Sequence, residues 1–188
     1  LRRLVHFFEA VHHRVPLVRL EEDTPDVLLL CADQGARIIA MTARSSRLQE
    51  RTAQQLRALS IDFSPLSQLL DQDLGNDKSV YAGIVFCNGG NKAEMFKRLV
   101  DDENYRPSML IVIDDRREYL EQFRMLCMKW GVPCMLYHYR RAEQYKEMYT
   151  RAHAVQELEQ FVVKHPEFAE VALIICAAFG MVEFSHSY

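Results

Sequence analysis

The sequence predicts an α/β fold in three layers, a doubly wound parallel sheet with helices on both faces and helical segments at both ends. Short apolar runs alternate with helical periodicity along most of the chain, as in parallel strands joined by crossover helices. The 188 residues suit one domain of average composition, since 49% are apolar and 26% are charged. The longest apolar stretch, residues 171–180, is half of the roughly twenty residues that a membrane span needs, so we expect it in the core.

The elements follow from local signals. Apolar residues spaced by three and four predict the helices, and short β-branched or apolar runs predict the strands. In chain order we predict a helix over 3–14, an extended segment 15–20, a helix from 24 that Gly35 ends, a strand over 36–42, a helix over 46–60, a loop over 61–80, a strand over 81–87, a turn over 88–91, a helix over 92–102, a strand over 109–113, a helix over 116–130, a strand over 132–138, a helix over 140–163 and an apolar segment from 166.

Two segments need separate justification. Thr24 and Pro25 supply a hydroxyl N-cap and a proline at the first helical position. The residues of this helix that we expect to face inward are Val27, Leu28, Leu30 and Cys31. The stretch over 61–80 is interrupted by proline, glycine and asparagine, which predicts a loop along the sheet edge.

Polar residues stand where the predicted strands end, and ligands of parallel sheets bind at that edge. The Thr42 hydroxyl and the backbone N–H of Ala43 can hold a phosphate oxygen, although a strand-end threonine is commonly only a cap. Lys92 opens a helix against the helix dipole, which favours an anionic partner over a simple surface charge. Asp114 and Asp115 end an apolar strand, and their repulsion favours a Mg²⁺ ion, unless Asp115 merely caps the next helix.

These residues carry a resemblance to a known superfamily. The series I-I-A-M-T-A-R-S, N-K-A-E-M-F-K-R-L and M-L-I-V-I-D-D resembles motifs two, three and four of the haloacid dehalogenase (HAD) superfamily, and the surrounding sequence over about 24–140 is similar to a bacterial HAD-like subfamily. The resemblance implies that Thr42 binds phosphate, that Lys92 steadies the nucleophile and the phosphate, and that Asp114 and Asp115 bind Mg²⁺. It implies a phosphohydrolase or phosphotransferase that acts through an aspartyl-phosphate.

The first HAD motif, D-x-D-x-[TV], carries the nucleophile, and no stretch before Ala40 matches it. Residues 71–73 spell D-x-D, but they follow motif two and lack a preceding β-run, so we interpret them as a polar loop. We therefore expect a truncated N-terminus, a nucleophile upstream of residue 1, and no activity from these 188 residues alone. One alternative is a non-catalytic HAD-like module that binds a ligand or partner. A response-regulator receiver would place its acidic pair first and its lysine last, which is not the order here.

The resemblance implies a cap or insertion helix over 1–20. The order of the predicted elements places the HAD-like α/β core over 21–165 and a C-terminal apolar segment, packed on the core, over 166–188. The five cysteines form no C-x-x-C pair, which predicts free thiols and a cytoplasmic location, with a secreted form left open if a signal lies upstream. A net charge of −3 argues against nucleic acid as the partner. We expect a small phosphorylated molecule instead; its identity and the oligomeric state stay open.

Overall fold

Helices and strands alternate along the residues that the computed structural model describes, which are 2–102, 105–141 and 151–168. The helices are α1 (Arg2–Arg14), α2 (Thr24–Asp33), α3 (Gln49–Arg57), α4 (Ser64–Ser67), α5 (Lys92–Asp102), α6 (Arg117–Trp130) and α7 (Arg151–Lys164). The strands are β1 (Ala40–Thr42), β2 (Gln72–Gly75), β3 (Lys78–Tyr81), β4 (Ile84–Phe86), β5 (Leu110–Asp114) and β6 (Cys134–His138). Short 3₁₀ turns cover Ser46–Leu48 and Pro166–Phe168.

The strands form two sheets. One has the order β1-β4-β3-β2, and in it only the β1–β4 pair is parallel. The other is the parallel pair β5–β6. The α/β class is therefore confirmed, but the prediction of an entirely parallel sheet is wrong, because β2 and β3 form an antiparallel hairpin beside β4.

The hairpin lies where the sequence predicted a loop over 61–80. Its turn residues, Asn76 and Asp77, both have positive φ angles, +54° and +56°, which is the conformation of a two-residue hairpin turn. Leu74 and Val80 point from the hairpin into the core, while its other side is polar. The loop prediction failed because short strands with one polar face carry little apolar signal.

The strands are also shorter than predicted. The segment before β1 contacts α4 instead of extending the strand: the Ile38 N–H donates to Leu66 O at 2.9 Å, and Arg37 Nε donates to Ser67 O at 2.5 Å. Tyr81 belongs to β3, and the turn between β3 and β4 has positive φ at Ala82 and Gly83. A side chain at Gly83 would meet the Phe63 carbonyl oxygen at 2.1 Å, so only glycine fits this close approach.

The expectation that α2 turns Val27, Leu28, Leu30 and Cys31 inward is wrong. None of the residues of α2 is fully buried, and Leu30 is 61% exposed. Four consecutive apolar residues, 27–30, surround the helix, so one contact face cannot cover them all. One face of the β5–β6 sheet is similarly exposed, and it consists of Ile111, Ile113, Met135 and Tyr137.

Helix α5 packs against both sheets. Met95 and Leu99 join the core cluster that includes Val80 and Val85 of the four-stranded sheet. Its neighbouring face, with Phe96, packs in a second cluster beside α6, and this cluster also contacts β5 and β6. Ile39 and Met41 contact both clusters. The contacts of Met95, Phe96 and Leu99 therefore fix the position of α5, whose first residue is Lys92.

The described residues fall into two compact units, residues 15–140 and a second unit that contains α1, α7 and Pro166–Phe168. In the second unit, Phe7 of α1 contacts Phe161 and Phe168 edge to face, with ring centroids 5.6 and 5.7 Å apart. The helix predicted over 140–163 lies partly outside the described residues, since 142–150 are not described, and so does the apolar segment beyond 168. Among the described helices, none has the length and apolar character to cross a membrane.

Candidate functional site

The predicted site residues lie at the carboxyl ends of β1, β4 and β5. The Cys87 N–H donates to Thr42 O at 2.9 Å, and the Gly89 N–H donates to Ala43 O at 2.8 Å. These bonds continue the β1–β4 pairing past the strands and hold the turn that leads into α5. Lys92, the first residue of α5, is therefore presented at the same edge of the molecule as the end of β1.

Lys92 and Asp114 are in direct contact. Lys92 Nζ lies 2.6 Å from Asp114 Oδ2, and their side chains are only 11% and 8% exposed. The other carboxylate oxygen, Oδ1, accepts the Arg116 N–H at 2.9 Å. Each charge of this pair is thus compensated by its partner in a region that excludes most water.

An aromatic ring also contacts the Lys92 ammonium group. Lys92 Nζ lies 4.4 Å from the centroid of the Tyr119 ring, and Tyr119 is buried on the first turns of α6. A cation over the face of a desolvated aromatic ring is attracted by the ring quadrupole. No sequence pattern connects Tyr119 with Lys92, because the contact depends on how α6 packs beside α5.

Thr42 and Ala43 lie at the end of β1, as predicted. Thr42 Oγ1 accepts the Arg44 N–H at 3.2 Å, which is the local turn expected of a strand-end threonine. Within the described residues Thr42 makes no hydrogen bond to Lys92 or Asp114. Its role in binding phosphate stays a prediction.

Asp115 differs from Asp114 in its surroundings. Its side chain is exposed, and its backbone carbonyl lies 3.1 Å from His138 Nε2 at the end of β6. The two adjacent carboxylates therefore differ: the Asp114 carboxylate is buried and contacts Lys92, whereas the Asp115 side chain is exposed.

A thiol lies near Lys92 at the end of β4. Cys87 is completely buried, and this burial raises the pKa of its thiol to about 11, although the charges of Lys92 and Lys78 act in the opposite direction. A thiol with such a pKa stays protonated at neutral pH. Cys87 therefore packs as a neutral thiol in the core cluster that also contains Val85 and Leu99.

The residues fit a magnesium ion only partly. Among the described residues no group of three His, Cys, Asp or Glu side chains could hold a metal. Mg²⁺ usually binds through one or two carboxylates and fills its other positions with water and phosphate. Asp114 and Asp115 can meet that need, because each carboxylate oxygen has more than one lone pair and Asp115 faces solvent.

Arg44 lies just after the end of β1, and the sequence pattern predicted no role for it. Its side chain is half-buried, and burial lowers the pKa of its guanidinium. Arg44 follows Thr42 by two positions in the stretch T-A-R-S. This position next to a predicted phosphate-binding residue is the sequence feature that could have indicated a role for Arg44.

Comparison with known proteins identifies one family. The model of the family described as "Protein of unknown function (DUF2608)" matches residues 4–168, which is most of the chain. No curated protein and no solved structure matches it.

Proposed function

We propose that this chain, which belongs to the DUF2608 family of proteins of unknown function, supplies the phosphate- and Mg²⁺-binding part of a HAD-type phosphohydrolase or phosphotransferase. In this proposal the fold is a HAD-like, doubly wound three-layer arrangement. The nucleophilic aspartate, which forms the aspartyl-phosphate, lies upstream of residue 1.

The observation that carries the proposal is the buried Lys92–Asp114 pair at the carboxyl end of β5. Burying two charges is costly, and a pair of apolar side chains would fill the same space with less desolvation. A lysine at the first residue of α5 also opposes the dipole of its own helix. An arrangement that is unfavourable on both counts is typical of sites that bind or transfer an anion.

The sheet edges add support. β1 is paired only with β4 and β5 only with β6 within the described residues, yet both lie against the cluster that contains Phe96. One further parallel strand between β1 and β5 would join the two sheets into one. A strand in that position would end beside Lys92 and Asp114, which is where a nucleophile from an upstream segment would be needed.

Each residue then has a distinct task. Lys92 keeps one N–H on Asp114 and has two more for phosphoryl oxygens, since an ammonium group has three donors. The Thr42 hydroxyl and the Ala43 N–H bind a phosphoryl oxygen at the end of β1. Asp114 and Asp115 would hold Mg²⁺, which would neutralise negative charge on the transferring group.

A non-catalytic HAD-like module that binds a ligand or partner is the second candidate. One observation favours it: Lys92 already supplies the counter-charge of Asp114, so the repulsion between Asp114 and Asp115 does not by itself demand a metal. In this case the pair positions α5, and the strand ends bind an anion without chemistry.

The test is stabilisation by Mg²⁺. An ion that binds only the folded state at ten times its Kd adds about 1.4 kcal/mol, which raises the Tm of a chain of this size by roughly 3–6 °C. We expect that rise at millimolar Mg²⁺ and constant ionic strength, and we expect no rise in the double variant Asp114→Asn, Asp115→Asn. The matched control is Asp71→Asn with Asp73→Asn, which removes two closely spaced acids outside the proposed site and should keep the rise. An equal rise in the 114/115 double variant would refute the metal site.

A further inference from the structure

Arg44 lies at the same edge as Thr42, and no ion pair joins its guanidinium to a carboxylate among the residues that the structure describes. Its backbone N–H bonds Thr42 Oγ1 at 3.2 Å, and its carbonyl accepts the Asn88 N–H at 3.1 Å. The residue is therefore fixed to the end of β1 and to the turn that leads to Lys92. Its guanidinium stays charged despite the lowered pKa, because the ordinary pKa of arginine is very high.

Two neutral side chains hold one nitrogen of this guanidinium. Arg44 Nη1 donates to Thr52 Oγ1 at 2.9 Å and to Gln55 Oε1 at 3.1 Å, and both acceptors are 5% exposed on one face of α3. Gln55 is itself held, since its Nε2 donates to Val15 O at 2.6 Å. Two neutral acceptors thus fix the orientation of the guanidinium, and no carboxylate of the described residues takes part.

The other side of the guanidinium is available. Nε and Nη2 of Arg44 donate no hydrogen bond within the described residues, and neither is among the fully buried atoms that lack a partner there. Nε and Nη2 form one of the two edges that bind a carboxylate or phosphate through two parallel hydrogen bonds. Three positions further on, Arg47 uses the same edge to bind Asp77, at 3.2 and 3.0 Å.

We infer that Arg44 is an anion-binding residue that takes a carboxylate or phosphate group of a ligand on its Nε–Nη2 edge. Its orientation is set in advance by Thr52 and Gln55, so little side-chain entropy is lost on binding. Assigning that anion to the substrate rests on the proposed function. In that case Thr42 and Lys92 bind the phosphoryl group that is transferred, and Arg44 selects substrates that carry a second anionic group.

The experiment observes Arg44 directly. The Nε–Hε signals of the arginines are recorded by NMR on the 188-residue chain without Mg²⁺, at constant ionic strength, while inorganic phosphate or acetate is added. The Arg44 signal is assigned by its loss in Arg44→Lys. Arg47 is the internal control, because Asp77 already occupies its edge.

We expect the Arg44 Hε signal to shift and reach saturation, while the Arg47 signal moves little. Saturation by phosphate alone assigns a phosphate group, saturation by acetate alone assigns a carboxylate, and saturation by both shows that the edge takes either anion; all three outcomes support the inference. A shift of Arg44 that is no larger than that of Arg47, or that never saturates with either anion, would overturn it. Repeating the titration in Asp114→Asn separates the two proposals. Saturation of the Arg44 signal in this variant would support the Arg44 site. If Mg²⁺ also failed to stabilise the wild type, the phosphotransfer proposal would be refuted while the Arg44 site would stand.

Discussion

The attraction between Lys92 and Asp114 can be calculated from the distance between their charged groups. At an effective dielectric constant of about 20, unit charges separated by 2.6 Å attract by about 6 kcal/mol. Desolvation of each ion costs several kcal/mol, so the net contribution of the pair to stability is small. Removing one partner is different, because it leaves the other charge buried without compensation. We expect Lys92→Met to lower the free energy of unfolding by about 3–5 kcal/mol.

Asp114→Asn should cost less than Lys92→Met. The asparagine oxygen can still accept the Arg116 N–H, and the Tyr119 ring still faces the Lys92 ammonium group, which is worth up to about 2 kcal/mol in a desolvated site. In the double variant neither charge is left alone. Its loss of stability should therefore be at least about 2 kcal/mol smaller than the sum of the two single losses.

The assay is urea unfolding of the four proteins, followed by circular dichroism and analysed as a double-mutant cycle. The exposed pair Arg47–Asp77 provides the control cycle, whose coupling should stay below about 1 kcal/mol. Losses at the Lys92–Asp114 pair that add to within about 0.5 kcal/mol would show that the two charges do not depend on each other, and the central contact of the site would be refuted.

Three further predictions concern other parts of the chain. Gly83→Ala should lower the free energy of unfolding, measured with urea, by at least about 2 kcal/mol, because the φ of Gly83 is +74° and the Phe63 carbonyl oxygen would lie 2.1 Å from the added carbon. Gly89→Ala is the control: its φ is also positive but the space around it is open, so it should cost about 1–2 kcal/mol. The raised pKa of Cys87 predicts stability that is complete below pH 9 and falls as the pH rises to about 11, since the unfolded thiol ionises first; Cys87→Ala should weaken this dependence. The 188-residue chain should not hydrolyse p-nitrophenyl phosphate with Mg²⁺, and activity that is lost in Asp71→Asn or Asp73→Asn would contradict our interpretation of that D-x-D.

Helices with one apolar face were predictable, and short strands were not. The predicted bounds of α5 match the structure, because Met95, Phe96 and Leu99 recur at helical spacing. The hairpin of β2 and β3 was missed, although Gly75-Asn76-Asp77 is a turn signal, because only Leu74 and Val80 of its residues carry the apolar pattern inward. Pairing partners of such strands are decided by tertiary contacts that a single sequence does not contain.

The site was predictable to the level of strand ends. The rule that functional residues follow parallel strands placed Thr42 and Asp114 correctly at the ends of β1 and β5. It could not predict that Lys92 would bind the buried carboxylate of Asp114 while the side chain of Asp115 is exposed, since the two acids are adjacent at the end of one strand. Nor could it predict the hydrogen bonds from Arg44 to Thr52 and Gln55, because they depend on which face of α3 packs against the end of β1.

The Lys92–Asp114 contact weakens the inference of a metal site from the two adjacent acids, Asp114 and Asp115. From the sequence, Mg²⁺ was the expected relief for two adjacent carboxylates; in the structure Lys92 already relieves one of them. The metal proposal therefore depends on Asp115 and on the lone pairs of Asp114 that remain. The two candidate functions then differ in what Lys92 does with its other two N–H groups. If the pair only positions α5, replacing Lys92 and Asp114 together by Met and Leu should keep the fold and anion binding at the end of β1. If Lys92 also binds phosphoryl oxygens, the same replacement should keep the fold and weaken phosphate binding, while the Arg44 Hε signal still responds to anions.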